Sequence, residues 1–392
     1  MSEVLSLLET DSEPAAVNVP ASANRSAWVE INVAQLRENF RLIREDLPPH
    51  VSLAPVVKDN AYGHGALTVA RTAVEVGARF LAVNTLEEAD ELRRAGFRTP
   101  LLLLGERHPD ELPACVAHGW RVCVGELAIA RELSRLATEA GRTVPVHLKL
   151  DTGMGRFGLR WDELAAALPE LLRLPHLDWE GVASHFAMSD EADKTFALRQ
   201  LERFQAALQR LAAAGIRSRF QHLCNSGGVL DLPAAHFNLV RPGILALGVF
   251  PSRVCRRIPG IAPVMSVKAR LVSVRRLQPG DPCGYGLRYH APTPRRIGIV
   301  PVGYGDGFPR LRNAGEVLVR GRRAPLIGSV AMDAFAVDVT DVPEAQLWDE
   351  VVLQGRQGGE EIIAQDLARW KGSVSYDILV GWRARLPRVC VG

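Results

Sequence analysis

Long apolar runs, paired cysteines and a strong net charge are all missing from this sequence. No apolar run approaches the ~18 to 20 residues needed to cross a bilayer, so no membrane-spanning segment is expected. The six cysteines show no CxxC pair and no framework spacing, which favours reduced thiols in a cytoplasmic protein. The formal net charge of +3 is small and evenly spread, so neither a nucleic-acid groove nor a membrane-binding patch is expected.

Lysine is scarce as well. Only five lysines occur among 392 residues, whereas 42 residues are arginine. A chain that uses arginine for nearly all its cations keeps lysine either by chance or where a primary amine is chemically required. The five are Lys58, Lys149, Lys194, Lys268 and Lys371.

What is present fits a soluble globular protein. Hydrophobic residues make up 47% of the chain and charged residues 23%, which excludes a collagenous, coiled-coil or wholly disordered chain. The length is enough for two domains. Residues 1–26 are acidic, rich in Ser, Pro and Ala, and aperiodic, so they are predicted to form a disordered tail. Because no apolar segment precedes Arg25, the first basic residue, this tail is not expected to direct secretion.

Between residues 51 and 250, short apolar runs alternate with amphipathic helical patterns. In the helical patterns, such as 126–140 and 194–214, apolar residues recur at spacings of three and four. Eight such units in series predict an α/β fold, a closed (β/α)8 TIM-type barrel over residues 27–261, with an open doubly wound sheet as the alternative. The predicted strands are 51–57, 79–84, 101–105, 120–124, 144–150, 179–184, 219–223 and 237–240.

The pattern changes near residue 262. Long β-branched stretches follow, separated by Pro-Gly, Gly-Tyr-Gly and Gly-Arg turns, which are typical of antiparallel strands. Residues 262–392 are therefore predicted to form a separate, mainly β domain.

Polar residues stand at the ends of several predicted barrel strands. The carboxyl ends of parallel barrel strands share one face, where barrel enzymes carry their catalytic groups. An active site at this face is therefore expected. In chain order these residues are Lys58, Lys149, Arg156, His185, Asn225, Ser226 and Arg241.

The last two barrel units suggest a phosphate site. Ser226 offers a hydroxyl, and Gly227, Gly228 and Gly243 allow backbone N–H groups to approach an anion. The loops after strands seven and eight are the usual phosphate position in this architecture. Together with the strand-end amine of Lys58, they suggest pyridoxal 5′-phosphate, because an amine forms a Schiff base with an aldehyde and a guanidinium does not.

Nine segments, in order from about residue 27 to 390, resemble the alanine racemase family. The resemblance implies interconversion of L- and D-alanine, supply of D-alanine for peptidoglycan, pyridoxal 5′-phosphate as cofactor and no metal ion. The segments are VVKDNAYGHG, KLDTGMGRFGLR, SHFAMSDEAD, HLCNSGG, VRPGI, CGYGLRY, VPVGYGDGFPR, AMDAFAVDV and SYDILVGWRARLPR.

The resemblance implies two catalytic bases. Lys58 holds the cofactor and acts on the D-alanine side, whereas Tyr285 acts on the L-alanine side. Two bases are needed because a planar carbanion must be reprotonated on the face opposite the one that lost its proton. His185 is implied as the hydrogen-bond partner of Tyr285.

Further roles follow from the same resemblance. Arg241 faces the pyridine nitrogen and discourages a long-lived carbanion. Arg156 steers the substrate carboxylate, and Lys149 occupies a position that can be carbamylated to orient Arg156. The substrate carboxylate also meets Met332 and Asp333, with the Met332 backbone N–H as donor. The implied cofactor-binding residues are Lys58, Tyr62, His185, Asn225, Ser226, Arg241, Gly243, Ile244 and Tyr376.

In the family, Tyr285 and Met332 reach the active site of the partner subunit. The resemblance therefore implies a homodimer with composite active sites. Two positions depart from the family pattern. Asp59 follows the lysine where alanine is commoner, and Ser329 stands where an arginine lining the substrate entrance is expected. Strict alanine specificity is consequently less firmly implied than racemisation.

Three alternatives remain open at this point. The first is a racemase of the same architecture that acts on serine, lysine or a broader set of amino acids. The second is a non-catalytic pyridoxal phosphate carrier, which would need neither residues 262–392 nor CGYGLRY. The third is a decarboxylase of related design, which would not be expected to carry CGYGLRY and AMDAF.

Overall fold

The structure, a computed structural model, describes residues 25–392. The predicted tail lies outside the described residues except for Arg25 and Ser26. The chain then forms strand β1 (Ala27–Asn32) and helix α1 (Val33–Asp46). The Asn32 side chain caps α1 by accepting a hydrogen bond from a backbone N–H of its first turn at 2.8 Å.

Nine strands follow, eight of which form a parallel barrel. Each of the eight overlaps one predicted strand, and the ninth, β7, is a short strand beside β6 that was not predicted. The strands are β2 (Ser52–Leu53), β3 (Leu81–Val83), β4 (Leu101–Leu103), β5 (Arg121–Val124), β6 (Val144–Asp151), β7 (Leu159–Arg160), β8 (Leu177–Ala183), β9 (Phe220–His222) and β10 (Leu239–Val240).

The ring of strands is closed. A continuous parallel ladder runs β3-β4-β5-β6-β8-β9, and β10 pairs with β2. A bridge between Val56 and Ala82 joins β2 to β3, and the Arg241 N–H donates to the Cys224 carbonyl at 3.0 Å where β9 meets β10. These contacts confirm the barrel and exclude the open doubly wound sheet.

Helices cover the outside of the barrel. Their apolar faces are buried against the strands, as in α1, where Leu36, Phe40 and Ile43 are fully buried. Burial of such side chains is the main favourable contribution to the fold. The segments are α2 (Lys58–Tyr62), which is a left-handed turn at the barrel mouth and not a covering helix, α3 (Ala66–Glu75), α4 (Leu86–Arg94), α5 (Leu112–His118), α6 (Leu127–Glu139), α7 (Leu164–Leu171), α8 (Thr195–Ala213) and α9 (Ser226–Asp231).

The second domain is mainly β, as predicted. One sheet has the order β12-β15-β18-β17-β16-β19-β11-β1-β21, with β20 beside β19 and a separate β13-β14 hairpin. The elements are β11 (Met265–Arg270), β12 (Ser273–Leu277), β13 (Pro282–Cys283), β14 (Tyr289–His290), β15 (Arg295–Val300), β16 (Glu316–Val319), β17 (Arg322–Ile327), β18 (Phe335–Asp338), β19 (Glu350–Gln357), β20 (Glu360–Ile362), α10 (Ala364–Lys371), α11 (Ser375–Gly381) and β21 (Arg388–Val391).

Strand β1 belongs to this second sheet. It pairs antiparallel with β11 and parallel with β21. The predicted barrel range 27–261 counts this strand with the barrel, whereas its hydrogen bonds join it to the β domain. The chain therefore crosses between the two domains twice, once between β1 and α1 and once between β10 and β11.

The β domain also reaches the barrel mouth. Helix α11 lies against α2, and a Cβ on Gly63 would stand 2.4 Å from the Leu379 carbonyl oxygen, so only glycine permits this approach. The Arg388 Nε donates to the Gly63 carbonyl at 3.0 Å. Between residues 25 and 392, no helix is both long and apolar enough to cross a membrane.

Candidate active site

A cavity of about 640 Å³ opens at the carboxyl end of the barrel. Eleven of the predicted site residues line this one cavity, although they come from strand ends, loops and α11. They are Lys58, Tyr62, Lys149, Arg156, His185, Asn225, Ser226, Arg241, Gly243, Ile244 and Tyr376.

Lys58 and Tyr62 enter the cavity from an unusual turn. Asp59, Asn60, Ala61 and Tyr62 all have positive φ, between 49° and 53°, so this turn is left-handed, at a cost of roughly 1–2 kcal/mol per residue. Hydrogen bonds hold it in place. The Asp59 N–H donates to Glu88 Oε1 at 2.7 Å, and Asn60 Oδ1 accepts from a backbone N–H of α3 at 2.8 Å.

Arg241 lies at the base of the cavity and is 3% exposed. Its guanidinium donates to the Ser184 carbonyl at 2.8 Å, to His185 Nδ1 at 3.1 Å and to His222 Nδ1 at 2.5 Å. Burial lowers the pKa of Arg241 to about 10, so the guanidinium is still cationic at neutral pH.

His185 has a defined tautomer. Burial and the neighbouring Arg241 charge bring its pKa well below the usual value, so the imidazole is neutral. Because Nδ1 accepts from Arg241, the proton of the neutral ring resides on Nε2. That nitrogen lies 3.5 Å from Asn225 Nδ2. Because Nδ2 is itself a donor, the two groups form no hydrogen bond in this tautomer, and the Nε2–H stays open to an acceptor in the cavity.

Lys149 is a buried amine beside these cations. Burial and the charge of Arg241 lower its pKa to about 7, so about half of the molecules carry a neutral amine at that pH. Arg156 follows on a loop held by the Asp151 carboxylate, which accepts hydrogen bonds from the N–H groups of Gly153 and Met154, each at 2.8 Å.

Two phenols share one end of the cavity. The rings of Tyr62 and Tyr376 lie 6.1 Å apart. Burial is the main cause that raises the pKa of each tyrosine, and both therefore remain neutral hydrogen-bond donors. A Cβ on Gly243 would lie 2.7 Å from the Tyr62 hydroxyl oxygen, so the glycine leaves room for this phenol.

Ser226 ties the last two barrel loops together at the same end. Its hydroxyl oxygen accepts from the N–H groups of Gly243 at 3.0 Å and Leu245 at 3.2 Å. Asn225 caps α9 by accepting from the Gly228 N–H at 3.0 Å, and it also accepts from the Ser189 hydroxyl at 2.8 Å. The hydroxyl proton of Ser226 is not used in these two contacts.

Tyr285, Met332 and Asp333 lie outside this cavity. Tyr285 is 77% exposed and Met332 is 53% exposed. Tyr285 lines a separate surface cavity of about 400 Å³ together with Ser329. Asp333 is held by Arg385 at 2.7 Å. The structure therefore divides the predicted site residues of one chain between a barrel cavity and a β-domain surface.

Other cavity residues were not predicted. Asn84 and Leu104 stand at the carboxyl ends of predicted barrel strands, the position by which Lys58 was identified. They could have been found in the same way, although neither carries a charge. Val374, Asp377 and Val380, which lie near Tyr376 in the sequence, follow no predicted barrel strand, so their position did not mark them as cavity residues. The full set of additional lining residues is Val56, Asp59, Asn84, Leu104, Phe157, Val374, Asp377 and Val380.

Comparison with protein families gives two matches that together span most of the chain. Residues 31–251 match the family described as "Alanine racemase, N-terminal domain", and residues 264–390 match "Alanine racemase, C-terminal domain". The division between the two matches falls close to the observed change from barrel to β domain.

Individual relatives agree with the family match. The chain is 46% identical to an alanine racemase of Syntrophobacter fumaroxidans, with 90% of this chain and 94% of the relative covered. It is 40% identical to one from Desulforamulus reducens, with 93% and 99% covered. Among solved structures, alanine racemase from Bacillus anthracis with bound L-Ala-P has a TM-score of 0.89 at 34% identity, covering 95% of this chain and 96% of that one.

Proposed function

The chain belongs to the alanine racemase family, and on that premise we propose that it interconverts L-alanine and D-alanine with pyridoxal 5′-phosphate as cofactor. The observation that carries the proposal is the convergence of Lys58, Arg241 and the two phenols on one cavity. A Schiff-base amine, a buried cation and neutral phosphate donors are the groups that this cofactor requires.

The residues present fit the cofactor. Neutral Tyr62 and Tyr376, the free hydroxyl proton of Ser226 and the backbone N–H of Ile244 offer donors to a phosphate at one end. The N–H of Gly243 is already bonded to Ser226, and Gly243 contributes by leaving room for the Tyr62 phenol. Lys58 offers its amine to the aldehyde, and Arg241 offers an N–H to the pyridine nitrogen. When bound, the cofactor would supply an electron sink for the pair left on the substrate Cα after its proton is removed.

Lys58 serves as the base on the D-alanine side. Tyr285 serves as the base on the L-alanine side, but it lies on the surface of its own chain. We therefore include a homodimer in the proposal, in which Tyr285 of the partner subunit enters the cavity beside Lys58. The Nε2–H of His185 is the donor available to stabilise the phenolate formed when that tyrosine gives up its proton.

The substrate carboxylate is bound by Arg156 and by the backbone N–H of Met332 of the partner subunit. Lys149 orients Arg156 as a carbamate, formed when its neutral amine adds to carbon dioxide and releases one proton. The lowered pKa of Lys149, about 7, supports this step, because only a neutral amine has the required lone pair. A carbamate would also replace a buried cation by an anion beside Arg156.

The cellular role proposed is supply of D-alanine for peptidoglycan in the cytoplasm. Ser329 bears on substrate choice. Its hydroxyl donates to the Tyr285 carbonyl at 3.4 Å. A short neutral side chain therefore stands beside Tyr285 at the predicted substrate entrance, where an arginine was expected. Serine or a broader set of amino acids is accordingly the second candidate for the substrate.

The direct test combines turnover with labelling of the lysine. Protein loaded with pyridoxal 5′-phosphate is expected to convert each enantiomer of alanine into the other. Borohydride reduction followed by peptide mapping should place the cofactor label on Lys58. A larger kcat/KM for serine or lysine would replace the alanine assignment. A labelled Lys58 without turnover of any amino acid would favour a carrier.

A further inference from the structure

A network of four side chains runs through the barrel interior, away from the cavity. Arg241 donates to His222 Nδ1 at 2.5 Å, and His222 Nε2 lies 2.7 Å from His147 Nδ1. His147 Nε2 lies 3.3 Å from Glu180 Oε2. We call Arg241, His222, His147 and Glu180 the interior network. Its far end, His147 and Glu180, is not used by the proposed mechanism.

The hydrogen bonds of the interior network have one direction. Arg241 has no acceptor, so His222 Nδ1 must be unprotonated and the ring proton must reside on Nε2. His222 Nε2–H then donates to His147 Nδ1, which places the His147 proton on Nε2. That proton is donated to the Glu180 carboxylate, which accepts only.

The side chains of the barrel interior leave space for the imidazole rings of His147 and His222 and pack against them. His147 and His222 are both fully buried. A Cβ on Gly181 would lie 2.4 Å from His147 Nδ1, so a glycine beside Glu180 makes room for the imidazole. The His147 ring also packs edge-on against Phe80, with ring centres 5.8 Å apart. The imidazoles are therefore held in place as well as hydrogen-bonded.

Glu180 is the nearest counter-charge along this route. Among the described residues, no carboxylate lies within 4 Å of the Arg241 guanidinium. Glu180 is 5% exposed and contacts Arg121 at 3.1 Å and Arg219 at 3.3 Å. Although burial alone would raise its pKa, the His147 hydrogen bond and the Arg121 charge lower it to about 2, so Glu180 is ionised.

We propose that Glu180 is a positioning residue for Arg241. Glu180 fixes the tautomers of His147 and His222, so that the lone pair of His222 Nδ1 always faces the guanidinium. This inference rests on the proposed function only for the role of Arg241. Without an acceptor at position 180, His147 is free to move its proton to Nδ1. Two N–H groups would then face each other, either between the imidazoles or between His222 and Arg241, and the guanidinium would shift.

The first test is made on the unsubstituted protein, and substitutions serve only to assign its signals. Long-range ¹H–¹⁵N NMR of ¹⁵N-histidine-labelled full-length protein without cofactor reports the tautomer of each ring, and His147→Gln and His222→Gln assign the signals. Both rings are expected as neutral Nε2–H tautomers. An Nδ1–H tautomer or a doubly protonated ring at either position would overturn the proposal. Because this readout is independent of turnover, it stays interpretable if the proposed function is wrong.

The second test compares three variants loaded with pyridoxal 5′-phosphate. E180L removes the acceptor, and it is expected to change the tautomer of His147 or of both imidazoles, shift the visible absorbance of the bound cofactor and lower kcat about 10-fold. E180Q keeps an acceptor oxygen and should retain the tautomers and most of kcat. D178N is the matched control, because Asp178 shares Arg219 with Glu180 but does not contact His147, and it should change none of these quantities.

A merely structural role gives a different pattern. If E180L lowered the melting temperature but left the histidine tautomers and the cofactor absorbance as in the unsubstituted protein, Glu180 would not position Arg241. Equal loss of kcat in D178N and E180L would likewise reject the proposal. If E180L does not fold, the tautomers of the unsubstituted protein and of E180Q still decide it.

Discussion

The barrel mouth and the β-domain surface around Tyr285 present opposite kinds of chemistry in one chain. At the mouth, Lys58, His185 and Arg241 line one cavity, and hydrogen bonds to Ser184, His185 and His222 hold the Arg241 guanidinium in place. Around Tyr285, the predicted residues are exposed and belong to two loops: Tyr285 lies between β13 and β14, whereas Met332 and Asp333 lie between β17 and β18. The barrel group is therefore brought together within one chain, whereas the Tyr285 group is exposed on the surface of that chain.

The exposed region has the properties of an interface. Leu287, next to the Tyr285 turn, is 57% exposed, and Met332 is 53% exposed. An apolar cavity of about 600 Å³ opens beneath the same turn. Clustered exposed apolar side chains mark interaction sites more often than isolated ones do. A second copy of the chain is the partner that the proposed function requires here.

Removal of the amine from the barrel side is expected to have the largest effect. Lys58→Ala should eliminate the visible absorbance of the bound cofactor and lower racemisation in both directions by about 1,000-fold or more. Absorbance spectroscopy and a coupled racemase assay measure both quantities. Lys268→Gln is the control, because Lys268 pairs with Glu30 and Glu350 in the β domain, remote from the cavity. An unchanged spectrum in Lys58→Ala would reject this residue as the point of attachment.

Removal of the phenol from the β-domain side should act on one enantiomer. Tyr285→Phe is expected to slow proton abstraction from L-alanine about 100-fold, with exchange from D-alanine largely retained because Lys58 is intact. Deuterium exchange at Cα, measured separately for each enantiomer, tests this. Tyr289→Phe, in the adjacent strand β14, should leave both rates unchanged. Equal losses for the two enantiomers would contradict the assigned faces.

A smaller effect is expected where Gly243 admits the Tyr62 phenol. Gly243→Ala would put a methyl group 2.7 Å from the Tyr62 hydroxyl, so the cofactor Kd should rise about 10-fold, the equivalent of one lost hydrogen bond. Fluorescence titration with pyridoxal 5′-phosphate measures the change. Gly359→Ala is the matched control, because a Cβ there meets no atom within 4 Å. Equal affinities in the two variants would mean that Tyr62 does not contact the cofactor.

The mildest effect concerns Lys149. With its pKa lowered to about 7, the amine is neutral above that pH and protonated below it, so a carbamate should form at pH 8 and decline as the pH falls through 7. ¹³C NMR with labelled bicarbonate reports the carbamate directly. The signal should be missing in Lys149→Ala, whose KM for alanine is expected to rise a few-fold, about the effect of one lost hydrogen bond to Arg156. A pH-independent signal would contradict this account.

Much of the barrel could be predicted from the sequence, because each strand is an apolar run bounded by a polar or glycine-rich segment. The cavity could be predicted for a similar reason, since strand ends share one face. The left-handed turn at Asp59–Tyr62 could not, because Asp59 and Asn60 tolerate positive φ as single residues, but Ala61 and Tyr62 rarely adopt it and a run of four is unusual. The interior network was also missed, because it joins β6, β8 and β9 only once the ring closes, and His147 resembles any buried strand residue.

The sheet that β1 joins could not be predicted from the sequence either. Its alternating pattern predicts a strand but does not say which sheet it joins. The pairing with β11 depends on residues more than 230 positions later in the chain. By contrast, the exposed state of Tyr285 agrees with the implied composite site, although a single sequence carries no direct signal of a partner.

The central claim, that each active site takes Lys58 from one chain and Tyr285 from another, is tested most directly by mixing two inactive variants. Equal amounts of Lys58→Ala and Tyr285→Phe are unfolded together, refolded with pyridoxal 5′-phosphate and assayed for racemisation. Random association makes half of the dimers hybrids, each with one intact site, so the mixture should regain about a quarter of the unsubstituted activity. A mixture no more active than its separate components would show that both groups act within the same subunit.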